Sequence, residues 1–378
     1  MNILGRGLST GEVQVCRQER EDVLGVGIVD RNRPARHDST LRQGPSADRP
    51  VSMSSVTVSA LGVIQAELEA HRRELLGYCY RMLGSGFDAE DAVQETMVRA
   101  WRAADSFEGR SSVRSWLYRI ATNVCLDSLR GRERRARPME LGPSRPPVES
   151  SLEASLPEGS WVSPIADDRV LPLQADPAEL AEARDTIRLA FVAALQHLPA
   201  RQRAALILCE VLRWQASEVA ELLDTSVAAV NSALQRARST LASVDLTEEP
   251  RALGAEQKAL LERFVEAFER FDIERLVTLL HEDAIQSMPP YAMWLRGSED
   301  IGRFMLGPGS GCRGSRLIRT AANGSPAFGQ YKPDPRGGLA PWALMVVEVS
   351  GDLVSQIHSF LDTDRVFPIF GLPAHLPE

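Results

Sequence analysis

The chain has 378 residues, is 44% hydrophobic and 6% aromatic, and carries 43 Lys and Arg against 51 Asp and Glu, a formal net charge of −8. That length holds two to four domains, no apolar run reaches the length of a membrane span, and the acidity argues against nonspecific attachment to nucleic acid. Cysteines at 16, 79, 125, 209 and 312 form no CxxC pair, which argues against both a zinc site and a disulfide framework. Cys79, Cys125 and Cys209 fall on apolar helical positions and read as reduced, buried thiols. The composition fits a cytoplasmic protein with no metal and no cofactor.

Residues 1–52 are polar, rich in Arg, Gly and Asp, without sustained periodicity and without the apolar core of a signal peptide. Two readings stand: a disordered extension, or upstream sequence preceding a native start at Met53. Met53 begins a segment, residues 53–84, that leads directly into the next patterned stretch. In Asp88–Arg130, Asp88 is expected to cap a helix with Asp91 as its reciprocal partner. Ala92, Val93, Met97, Ala100 and Trp101 form the expected buried stripe, and Asp91, Gln94 and Glu95 an acidic outer face. After a loop at 105–112, a helix over Val113–Arg130 carries Trp116, Tyr118, Arg119, Asn123 and Arg130. Between Arg99 and Arg137 ten arginines face four acids. A basic helix with interleaved aromatics suits nucleic acid, because guanidinium groups hold phosphates and aromatic faces stack unpaired bases. Core packing is the competing role for such aromatics, and it is expected for Trp101 and Leu117.

Residues 136–180 carry prolines at 138, 143, 146, 147, 157, 164, 172 and 177, which rules out a continuous helix. Within this linker, Trp161, Ile165, Val170 and Leu171 are apolar enough to dock on a surface, and Asp167 and Asp168 are acidic. Leu198–Leu241 then reads as a helix-turn-helix. Ala204, Ala205, Leu208, Val211 and Leu212 recur at helical spacing, and a short helix follows over Ala216–Leu223. Asp224-Thr225-Ser226 breaks the pattern with Ser226 as N-cap. The last helix, Val227–Leu241, buries Val230 and Leu234. It exposes Asn231, Ser232, Gln235, Arg236 and Arg238, a face suited to the DNA major groove.

The pair DAEDAVQETMVRAW…SSVRSWLYRIATNVCLDSLR and LPARQRAALILCEVLRW…SEVAELLDTSVAAVNSALQRAR resembles regions two and four of the extracytoplasmic-function sigma factors, within the sigma-70 family of bacterial initiation factors. The resemblance spans roughly residues 61–241. It implies region two at 53–135, a linker at 136–180 and region four at 181–245. It implies core RNA polymerase as partner through Asp91, Gln94 and Glu95. It implies capture of the melted minus-ten strand by Phe107, Arg110, Ser111, Arg114, Trp116, Arg119 and Asn123. The minus-thirty-five duplex falls to Asn231, Ser232, Gln235, Arg236 and Arg238. Ser160–Pro172 resembles the Trp-x-x-Pro linker of sigma factors with an added C-terminal domain, which makes Trp161, Pro164 and Asp167 contact residues.

Past Leu241, Gln257–Phe271 reads as an amphipathic helix and Ile273–Leu280 as a second. Strands follow at Ala284–Pro289, Ser315–Ala322, Pro326–Tyr331, Ala340–Val349 and Leu353–Phe360. Helices followed by an antiparallel sheet imply an α+β unit. LLERFVEAFERFDIERLVTLLHEDAIQSMPP, TAANGSPAFGQY and FLDTDRVFPIFGLP resemble the SnoaL-like domain, a cone with a pocket, here at 254–378. The fold class expected is therefore multidomain, with two all-α units followed by an α+β cone. The whole resembles the sigma factors of the G and J type. Pocket candidates are His281, Asp283, Tyr291, Trp294 and His358, with Met293 beside them and a small ligand as a candidate partner. His281-Glu282-Asp283 also reads as a mere polar helix end. The resemblance assigns the cone to regulation and assigns no catalytic residue. Two other functions stay open: a helix-turn-helix regulator that acts without polymerase, and a SnoaL-type enzyme fused to a DNA-binding module.

Overall fold

A computed structural model describes residues 53–107, 109, 111–243 and 254–377. The extension at 1–52, Cys16 and Arg110 lie outside these residues, as do the last two positions expected for region four.

The first unit is three helices: α1 (Met53–Leu83), α2 (Gly86–Ala103) and α3 (Val113–Ser128). Leu75, Tyr78, Cys79 and Met82 of α1 meet Ala89, Val93 and Ala100 of α2 and Leu117, Tyr118, Ala121 and Cys125 of α3. The turn between α1 and α2 needs Gly84, at φ +68. Ser85 then caps α2, its Oγ accepting from the Asp88 amide at 3.2 Å. Asp88 is thus not the cap expected from sequence. It lies inside the first turn, where its carboxylate takes Arg132 at 2.6 Å and Arg135 at 2.9 Å. Trp101 also departs from expectation: it is 63% exposed. The buried residues of α2 recur as 89, 92, 93, 96 and 100, and one residue past Ala100 the helix has already turned about 100° away.

The linker makes only short turns, at Pro138–Glu140, Glu149–Leu152, Glu158–Ser160 and Asp167–Val170. α4 (Pro177–Asp185) starts on a capping box between Asp176 and Glu179. α5 (Leu189–Gln196) is buried along nearly its whole length. α6 (Ala200–Leu206) runs on as a π-helical turn, Ile207–Val211. α7 (Ala216–Leu222) and α8 (Val227–Ala242) complete the helix-turn-helix, with Ser226 capping α8 and Val230, Leu234 and Ala237 buried.

The last unit opens with α9 (Ala255–Glu269) and α10 (Ile273–Thr278). β1 (Leu280–Ser287), β2 (Trp294–Arg296), α11 (Ser298–Leu306), β3 (Arg316–Ala322), β4 (Ser325–Pro333), β5 (Leu339–Ser350), β6 (Leu353–Phe360) and α12 (Thr363–Ile369) follow. One six-stranded sheet has the order β2-β1-β6-β5-β4-β3, parallel only between β1 and β6. β5 shows why its apolar run is unbroken: it is buried on both faces. Met345 and Val347 join Phe264, Phe268, Ile301 and Phe304 of α9 and α11, the interior of the cone. Leu344 and Val346 face the other way and share one apolar cluster with α12 and both helical units. His281-Glu282-Asp283 begins strand β1 rather than ending a helix, because α10 stops at Thr278.

Candidate nucleic-acid interface

Asp91 and Gln94 are exposed on α2, opposite its buried stripe. Glu95 is half-buried and pairs with Arg99 at 2.6 Å. That face is acidic and free of apolar cover, as expected from sequence.

The basic aromatic helix is another matter. Phe107 and Trp116 stack at 4.8 Å between centroids, while Ser111 is half-buried and Asn123 exposed. Arg114 is half-buried. It makes paired hydrogen bonds to Glu74 at 3.0 and 3.1 Å, and its guanidinium lies 5.1 Å from the Trp214 ring centre. Tyr118 is buried and meets the same Trp214 ring at 5.1 Å. Arg119 donates to the Glu221 carbonyl at 3.3 Å and faces its carboxylate at 3.5 Å. Trp214 and Glu221 belong to the helix-turn-helix unit, so α3 is covered there by α7 and the turn before it. The arginine run beyond α3 is likewise engaged. Arg132 and Arg135 hold Asp88, and Arg134 and Arg137 hold Glu140. Burial raises the Glu140 carboxyl, but the two guanidinium groups outweigh it and hold the acid below its ordinary range. The local excess of positive charge is therefore partly neutralised within the chain.

On α8, Asn231, Ser232, Gln235, Arg236 and Arg238 are all exposed. Arg238 is tethered to Glu210; Gln235 and Arg236 flank it on the outer face. The exposure of this face is as the helical pattern predicts.

The linker straps the sheet at both edges. At the β2 edge, the Arg145 amide donates to the Trp294 carbonyl at 2.9 Å, and the Trp294 indole donates to the Gly142 carbonyl at 2.8 Å. Ser155 bridges Tyr291, and Leu152 packs against the cone interior. At the β3 edge, Ala166 bridges Ala322. Between these straps, Trp161 is buried and bridges Ala136 beside α3. Pro164 sits so close to α2 that a Cβ on Gly86 would come within 2.7 Å of its carbonyl oxygen. Asp167 Oδ1 accepts from the Gly324 amide at 2.8 Å, and burial pushes its carboxyl up to about 6.

Asn323 is the residue the sequence did not flag. It is 1% exposed, at φ +57, at the tip of the β3–β4 hairpin. Its Oδ1 accepts from the Ile165 amide at 3.1 Å, and its Nδ2 donates to Tyr80 Oη at 2.5 Å and to the Ile187 carbonyl at 2.7 Å. One side chain thus joins the first helical unit, the linker, the start of α5 and the cone. The Asn-Gly pair between two strands signals a tight hairpin; its burial depends on partners more than a hundred residues away.

The pocket candidates only partly converge. His358 and Trp294 both stand in register with Ser287, and His358 Nδ1 lies 2.8 Å from Ser287 Oγ. Asp283 is exposed and paired with Arg296 at 3.2 Å. His281 is half-buried and accepts from the Asp283 amide. Tyr291 and Trp294 hold the linker. Among the described residues no cluster of His, Cys, Asp and Glu could hold a metal ion, and no helix is long and apolar enough to cross a membrane.

Two family models match the chain: Sigma-70 region 2 over residues 68–135 and Sigma-70, region 4 over residues 188–241. The chain is 47% identical over 327 residues to the ECF RNA polymerase sigma factor SigG of Mycobacterium tuberculosis (strain ATCC 25618 / H37Rv), covering 83% of this chain and 85% of that one. It is 29% identical over 253 residues to the ECF RNA polymerase sigma factor SigJ of the same strain, covering 64% and 72%. The crystal structure of the Mycobacterium tuberculosis extracytoplasmic function sigma factor SigJ has the same fold. The TM-score is 0.53 at 23% identity, covering 82% of this chain and 99% of that one.

Proposed function

This chain belongs to the extracytoplasmic-function sigma factors of the sigma-70 family, and from that membership we propose how its promoter-facing surfaces are held and released. It is an alternative sigma factor that binds core RNA polymerase and directs it to promoters, with a SnoaL-like unit fused at its C-terminal end. We assign polymerase docking to Asp91, Gln94 and Glu95. Phe107, Ser111, Arg114, Trp116, Arg119 and Asn123 take the melted minus-ten strand, with Arg110 in the same loop. Asn231, Ser232, Gln235, Arg236 and Arg238 take the minus-thirty-five duplex.

The observation that carries the reading is the cover on α3. Trp214 and Glu221 engage Arg114 and Arg119, which exchange these partners for DNA when they take the melted strand. The free protein is therefore held shut, and docking on polymerase separates the two helical units. Asn323 and the linker straps favour the shut state, so the cone restrains promoter engagement in cis. A conformational change of this kind needs a partner that binds the two states differently, and polymerase supplies it. We assign no reaction to the cone, since Asp283 is an exposed ion pair and His358 is occupied by Ser287.

Run-off transcription with core polymerase tests this. Asn323→Ala should raise transcript yield at limiting polymerase, and Asp91→Ala with Glu95→Ala should lower polymerase affinity. If Asn323→Ala leaves the yield unchanged while the chain stays folded, the cone does not restrain engagement.

A further inference from the structure

We propose that the cavity between α4, the first turns of α9 and the β3–β4 hairpin binds a small phosphate-bearing metabolite that ties the helix-turn-helix unit to the cone. The cavity holds about 530 Å³, the size of a pocket for a nucleotide-sized molecule. Four cations line it: Arg184 and Arg188 from the helical side, and Lys258 and Arg319 from the cone. Against them stand two carboxylates, Asp167 and Asp185. Arg188 Nη1 is buried with no hydrogen-bond partner, while the Arg184 and Arg188 charges act on the neighbouring Asp167 and Asp185 carboxylates without an ion-pair contact among the described residues. A buried guanidinium nitrogen without an acceptor is costly, and a bound anion would supply one.

The chemistry points to a doubly charged phosphate rather than a single carboxylate. Three guanidinium groups and one ammonium, two charges in excess of the two lining carboxylates, suit phosphate oxygens, although Arg319 also stands 3.9 Å from Glu262. Leu261 and Phe328 supply an apolar wall for the body of the molecule. Burial raises both carboxyls, Asp167 to about 6, which eases the approach of a second anion as the pH falls. Because the cations come from both sides, occupancy stabilises the docked arrangement by linkage. Only the regulatory consequence rests on the shut state described above; the site itself does not.

The test is calorimetry on the full chain, without polymerase or DNA, using inorganic pyrophosphate and ATP as probes. Saturable one-site binding of either is expected. Pyrophosphate binding as tightly as ATP would mean that only the phosphates are read. Arg188→Ala should weaken binding by roughly tenfold. The exposed pair Lys258→Glu with Arg319→Glu, at positions outside both apolar clusters, should weaken it at least as much. Absence of saturable binding to the wild-type chain would overturn the proposal, as would affinity unchanged in both variants. Neither result would bear on polymerase binding.

Discussion

At the scale of single residues, Asp167 sets a pH dependence. Its carboxyl, raised by burial from 3.8 to about 6, binds a proton in the folded chain that the unfolded chain lacks between those values. Stability conferred by Asp167 is therefore lost as pH rises from about 4 to about 6 and changes little above. Asp167→Asn keeps an oxygen acceptor for the Gly324 amide and carries no charge. Thermal melts of this variant should show a flatter pH profile in that window and a higher midpoint at pH 7 than the wild type. A profile parallel to wild type would remove Asp167 as the source. Gly86 gives a steric counterpart. A methyl there would press on the Pro164 carbonyl, so Gly86→Ala should cost on the order of 1–3 kcal/mol in urea unfolding. On α8, Arg236→Ala and Arg238→Ala should each flatten the salt dependence of promoter binding by about one counterion. A slope unchanged by either would move DNA contact off this face.

At the scale of elements, the legible part was whatever depends on local pattern. The helix-turn-helix came through almost to the residue, because Ser226 caps α8 and Val230 and Leu234 set its buried stripe. β6 came through with its bounds intact, as Leu353–Phe360. β2 and α11 went unseen: three residues give too little alternation, and Gly and Pro crowd the sequence around them. The arginine run misled in a different way. Its composition invites phosphates, yet Asp88 and Glu140, held in reach by tertiary folding, each engage two of its guanidinium groups. Trp214 and Asn323 could not be read as contacts, since their partners are distant in sequence. Asn323→Ala would leave donors or acceptors on Tyr80, Ile165 and Ile187 unpaired, a loss on the order of 2–4 kcal/mol. Urea unfolding of that variant should shift accordingly, and a shift near zero would show that water replaces the amide without cost.

For the whole molecule, one apolar cluster runs from α1 through the helix-turn-helix to the outer face of the cone. On the function proposed above, polymerase separates surfaces that are packed together, and the cost of that separation sets access to promoters. The most direct measurement is the distance between spin labels on exposed sites, Arg102→Cys on α2 and Ser239→Cys on α8, with Cys16, Cys209 and Cys312 replaced by Ser. The free protein should give one short, narrow distribution, and saturating core polymerase should move it to a longer one. A distribution that stays short in the polymerase complex, while run-off transcription proceeds, would contradict the account.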